Sequence, residues 1–109
     1  KCGAAPTYIR RRCAGEFLIN AYAPDFSECG PRGEAYVKTV KLREGDMLIM
    51  VSDGVDMSGE DRIMNILKKI SSDVPRELCD ILLRTVKNDN ISDDRTIIAI
   101  LYDKVLQEV

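Results

Sequence analysis

The hydrophobic period of this chain changes twice, and that restricts the fold more than any other feature of its 109 residues. Met47–Val51 is continuously apolar, which suits a central strand buried on both faces better than a half-exposed one. Ile63, Ile66, Leu67 and Ile70 then recur at i, i+3, i+4 and i+7, one apolar stripe on a helix. Leu78, Ile81, Leu82 and Thr85 continue a second stripe. Pro75 stands where a first helical turn tolerates it, and Asp73 just before it reads as the cap. Residues 96–102 return to an apolar, β-branched run, expected as a second buried strand. A helical period does not settle as a strand, nor a strand period as a helix, so two helices must be inserted between strands.

The first third of the chain is β-favouring. Residues 6–12 and 16–20 read as short strands joined by an Ala14-Gly15 turn, a hairpin. Arg10, Arg11 and Arg12 are read as a solvated edge that discourages further strand pairing. Residues 23–33 carry Pro24, Gly30, Pro31 and Gly33, which is loop composition. Residues 36–42 alternate β-branched residues with lysines, a half-buried strand, and Glu44-Gly45-Asp46 turns the chain. The expected fold class is α+β, a mainly antiparallel sheet with two helices on one face.

Composition removes several chemistries. Sixteen basic residues against 18 acidic ones leave a net charge of −2, so no basic stripe for nucleic acid is expected. The longest apolar run, six residues at 97–102, falls far short of the roughly 20 that a membrane helix needs, and no membrane contact is expected of this segment. With no histidine, Ser-His-Asp and Cys-His catalysis and His-ligated zinc are excluded. The four cysteines, Cys2, Cys13, Cys29 and Cys79, lack the close pairs of a tetrathiolate zinc site and are read as reduced thiols. The expected location is cytoplasmic.

Two acidic motifs stand at strand ends. Ser52-Asp53-Gly54 follows the apolar run directly, and Ser92-Asp93-Asp94 precedes the last strand. If those strands are antiparallel neighbours, the end of one lies beside the start of the other, and Asp53 and Asp93 converge. Converging carboxylates repel unless a cation neutralises them, and hard Mg²⁺ or Mn²⁺ prefers such oxygen ligands. Gly54 would let the backbone turn sharply beside an ion. Both tripeptides are also ordinary turn sequences, because Asp hydrogen-bonds its own backbone in Asx-turns.

Leu42-x-x-Gly45-Asp46-x-Leu48-Ile49-x-x-Ser52-Asp53-Gly54-Val55 resembles the second metal-binding motif of PPM-type, protein-phosphatase-2C-like enzymes, and Asp93-Asp94-x-Thr96 resembles their last motif. Within that superfamily, Lys1-x-Gly3-x-x-Pro6-Thr7-Tyr8-Ile9-Arg10-Arg11 is similar to the bacterial stage II sporulation protein E branch. The resemblance covers nearly the whole chain. It implies a two-sheet β-sandwich flanked by helices, of which residues 1–109 would be the C-terminal portion. It implies Asp53 and Asp93 as ligands of a binuclear Mn²⁺ or Mg²⁺ centre, with Gly54 and Asp94 supporting that site. The reaction implied is hydrolysis of phosphoserine or phosphothreonine on a regulatory protein such as an anti-sigma-factor antagonist.

The family's first metal motif, an acid followed by an Asp-Gly-x-Gly-type turn, has no counterpart in residues 1–44. Asp56 also stands one position early for a further family acid, whose place Met57 takes. The isolated chain is therefore expected to be inactive, its parent active and anchored to a membrane through upstream segments. Cutting a sandwich in half bares an apolar sheet face, so a homodimer through that face is expected. The rival reading is a non-catalytic phosphatase-like regulatory module. A third is a structural α+β domain whose aspartates are only turns.

Overall fold

The computed structural model describes residues 5–22, 39–56, 59–87 and 94–103. Strands β1 (Thr7–Cys13) and β2 (Glu16–Tyr22) form the expected hairpin, in register from Cys13 opposite Glu16 to Thr7 opposite Tyr22. Its two loop residues, Ala14 and Gly15, have φ of 51° and 83°, the pair of positive values that a type I′ turn requires. Gly15 adopts this without strain, whereas Ala14 places a Cβ against the backbone.

Strand β3 (Met47–Val51) pairs antiparallel with β1 on one side and with β4 (Ile97–Leu101) on the other. The sheet order is β2-β1-β3-β4. Between β3 and β4 the chain forms α1 (Asp53–Asp56), α2 (Glu60–Lys69) and α3 (Pro75–Lys87). The α+β class and the two longer helices agree with the sequence pattern; the single turn α1 was not expected from it.

One face of the sheet carries the core. Tyr8, Ile19, Met47 and Ile49 from the strands pack against Val55, Ile63, Leu67, Ile70, Leu78, Leu82 and Val86. Helix α2 lies against β1 and β2, and α3 against β4. Ten residues are too few for a stable isolated helix, since those under about 12–15 residues are marginal in water. Packing therefore holds α2: each fully buried Ile or Leu contributes roughly 1.5–3 kcal/mol. Glu60 and Asp61 in its first turn and Lys68 and Lys69 in its last add the charge order that the helix dipole favours.

Three expectations are corrected. Strand β4 is not buried: as the edge strand it shows Ile98 and Ile100 each half to solvent, while Ile97, Ala99 and Leu101 turn to the helices. The helices cover only one face, so alternate side chains point away from them. Residues 39–42 form no strand, and 36–38 lie outside the described residues, as does the loop at 23–33. The Lys41 carbonyl accepts from the Arg11 guanidinium and the Arg43 N–H donates to the Asp46 carboxylate, so side chains replace a ladder there. Asp73 does not cap α3. Ser72 forms an ST-turn just ahead of the helix, its hydroxyl accepting from the Val74 N–H two residues on and donating to Glu77.

The Ala14 conformation is directly testable. Ala14→Asn, which tolerates positive φ and restores the preferred Asn-Gly hairpin pair, is expected to stabilise the chain by about 1 kcal/mol. An unchanged or lowered melting temperature would contradict the type I′ assignment.

Candidate metal-binding edge

Each end of β3 is fastened by a polar side chain. At its start, the Asp46 N–H donates to the Arg43 carbonyl at 3.0 Å, closing a β-turn in which Gly45 has φ 88°, the positive value a type II turn needs at that position. The Asp46 carboxylate, 2% exposed, accepts from the Arg43 N–H at 2.8 Å and from Arg11 Nε and Nη2 at 3.0 and 2.7 Å. The Arg11 hydrogen bonds, chiefly, hold its carboxyl below the ordinary Asp value; burial opposes them. Asp46 is thus a tie between β3 and β1, a role that the sequence pattern alone did not reveal.

The arginine triplet is not a solvated edge. β1 is an interior strand, and Arg10 is 1% exposed. Its guanidinium lies 3.5 Å from the Phe17 ring centroid, donates to the Ser72 carbonyl at 2.9 Å and also to the Ile70 carbonyl. Ile70 ends α2, and carbonyls at a helix C-terminus lack intrahelical partners and attract cations. Burial pulls the Arg10 pKa below the usual value and Asp73 pushes it back; an arginine stays charged regardless. Only Arg12 is exposed, and it pairs with Asp73.

At the far end of β3 stands the acidic motif. The Ser52 N–H donates to the Thr96 carbonyl at 2.9 Å, and the Thr96 N–H donates to Ser52 Oγ at 2.9 Å. The Ser52 hydroxyl also reaches the Asp94 carbonyl at 3.4 Å. The end of β3 therefore lies beside the approach to β4, as the antiparallel argument required. Asp53 opens α1 with its side chain exposed, and Asp94 is exposed across from it. Asp93 lies outside the described residues, and so does Met57. Gly54 is buried within the α1 turn and is not among the glycines with positive φ. A sharp left-handed turn is thus not what Gly54 supplies; the position is closely packed.

Asp56, at the end of α1, accepts a hydrogen bond from the buried Tyr8 hydroxyl at 3.4 Å. Burial, then the charges of Asp56 and Glu60, push the Tyr8 phenol well above its ordinary pKa. Asp56 is thereby tied to β1. Hard carboxylate oxygens are the donors that Mg²⁺ and Mn²⁺ favour, so Asp53 fits such an ion in kind. In number the set is short: among the described residues no three His, Cys, Asp or Glu side chains gather as a metal cage. A recess of about 420 Å³ lined by Arg12, Glu44, Gly45, Asp73, Leu101 and Asp103 sits at the opposite end of the β3–β4 ladder. Cys13 is exposed and Cys79 half-buried, both as free thiols; Cys2 and Cys29 lie outside the described residues. Among the described residues no helix is long and apolar enough to cross a membrane.

The family model for Stage II sporulation protein E (SpoIIE) matches residues 1–103. The chain belongs to the stage II sporulation protein E family. Stage II sporulation protein E of Bacillus subtilis (strain 168) is 29% identical over 115 residues, which cover 94% of this chain and 13% of that protein. The solved phosphatase domain of the cell fate determinant SpoIIE from Bacillus subtilis matches with a TM-score of 0.76 at 23% identity, over 96% of this chain and 51% of that one. A Mn-presoaked structure of the same domain matches at 0.69 and 23%, over 98% and 50%. The fold of this chain is thus that of the SpoIIE phosphatase domain, of which it spans about half the length.

Membership of the family does not alter what Asp46 does in this chain, and that role has a pH signature. A carboxyl depressed by folding contributes stability in full above its unfolded value, about pH 4, and loses it as pH falls through the lower folded value. Asp46→Asn is expected to cost about 2 kcal/mol near neutrality and to flatten the fall in stability below pH 4. Urea unfolding of both proteins between pH 2.5 and 7 measures this; parallel curves would contradict it.

Proposed function

We propose that this chain is part of a metal-dependent serine/threonine protein phosphatase of the stage II sporulation protein E family, and that Asp53 and Asp93 are its metal ligands. The observation that carries the reading is the Ser52–Thr96 pairing, which sets the exposed Asp53 beside the segment leading out of the second acidic motif. The family match and the likeness to the SpoIIE phosphatase domain support the reaction class.

In this reading Asp53 and Asp93 supply hard oxygen ligands. Bound Mn²⁺ or Mg²⁺ supplies charge neutralisation and a water acidified toward hydroxide, the requirements of in-line attack on phosphorus. Such chemistry needs neither a histidine nor a cysteine nucleophile, and the chain has no histidine. Ser52 fixes the backbone from which Asp53 projects, Gly54 allows close packing beneath it, and Asp94 lies at the rim. The substrate class we propose is a phosphorylated regulatory protein such as an anti-sigma-factor antagonist. The parent acts in the cytoplasm.

Asp53→Asn in the intact parent protein is expected to abolish Mn²⁺-dependent release of phosphate from a phosphoserine protein, at least a hundredfold by analogy with lost metal ligation. Retained turnover would remove Asp53 from the site. The isolated 109-residue chain is expected to be inactive, and to associate in solution through the sheet face turned away from the helices, where Leu18 on β2 and Ile98 and Ile100 on β4 are each about half exposed. Light scattering and a phosphatase assay on one preparation check both, and an active, monodisperse monomer would contradict both.

A further inference from the structure

Ser52 is engaged at this sheet edge through its N–H, its carbonyl and its hydroxyl alike. Its N–H donates to the Thr96 carbonyl, and its carbonyl accepts from Val55 at 3.0 Å and Asp56 at 3.1 Å, which starts α1. A serine at that position ordinarily turns its hydroxyl to the second or third N–H of its own helix. Here Oγ instead accepts the Thr96 N–H at 2.9 Å and reaches the Asp94 carbonyl. The N–H and the carbonyl of Thr96 are thus both bonded to one residue. The Ser52 N–H bond continues the antiparallel ladder one residue beyond Val51 opposite Ile97, but the Ser52 carbonyl that would complete that pair with the Thr96 N–H is committed to α1, and the hydroxyl takes its place.

The hydroxyl thus adds a second hydrogen bond to Thr96, and a longer one to Asp94, at the point where the chain leaves β3 for Asp53. We propose that Ser52 is a positioning residue for the metal site, setting the spacing between Asp53 and the Asp94–Thr96 backbone. The inference rests on the metal reading given above and deepens it. Ser52 need not touch an ion. It acts through the backbone on either side, as groups that orient metal ligands do, and loss of such a group typically costs about ten- to a hundredfold in metal affinity.

The test uses the intact parent protein, with Mn²⁺ binding followed by titration calorimetry and hydrogen exchange followed at the Thr96 amide. Ser52→Ala is expected to weaken Mn²⁺ binding about ten- to a hundredfold and to speed exchange at Thr96, with protection of the core strands unchanged. Ser52→Thr, which keeps a hydroxyl, is expected to restore both. Unchanged Mn²⁺ affinity in Ser52→Ala would overturn the inference while leaving the metal reading intact. Equal loss in the Ala and Thr variants with faster exchange throughout the sheet would overturn it as well, since the role would then be general stability. Absence of Mn²⁺ binding by the unsubstituted parent would overturn the metal reading, and this inference with it.

Discussion

The ion pair between Arg11 and Asp46 fixes where β3 begins against β1, and the Ser52–Asp53 segment at the other end of β3 inherits that setting. A one-residue slip in a sheet sends every side chain to the opposite face. Such a slip would carry Met47 and Ile49 out of the core and shift Ser52 away from Thr96. The carboxylate of Asp46 is almost fully buried and meets both a backbone N–H and a guanidinium. Removing one partner would leave the other uncompensated, a costlier change than forming the pair is favourable. Register is thus enforced by the penalty for losing it as much as by the apolar pattern.

The helices are fastened to the sheet by a similar device. Arg10 projects from β1 into the core face, lies against Phe17 and donates to the carbonyls of Ile70, which caps α2, and of Ser72 in the link beyond it. Tyr8, two residues earlier on the same face, is tied to Asp56 of α1. One strand therefore holds the turn after Asp53 and the exit of α2 together. The exposed carboxylate of Asp53 is mounted on a backbone restrained by Ser52 before it and by the Tyr8–Asp56 contact after it.

Much of this was legible in the sequence. The hairpin, the apolar strand Met47–Val51 and both helical stripes follow from period and turn chemistry alone, and the adjacency of the two acidic motifs followed from assuming an antiparallel pair. The misses share a cause. Arg10, Asp46 and Ser72 have their partners far along the chain, or in a local geometry that residue type alone does not reveal. An arginine reads as solvated until a ring, a helix-end carbonyl and a linker carbonyl are found around it. The edge position of β4 was equally hidden, because a run of isoleucine and leucine looks the same whether a second layer covers it or not. The motif resemblance added what periodicity could not: it pointed to the family whose model matches residues 1–103.

The placement of metal at this sheet edge is tested most directly by anomalous diffraction at the manganese edge from crystals of the intact parent soaked in Mn²⁺. The predicted result is density within ligand distance, roughly 2.0–2.2 Å for hard ions of this size, of the Asp53 and Asp93 carboxylates. Density that avoids both carboxylates, or that gathers instead at the opposite end of β3 near Asp103, would contradict it.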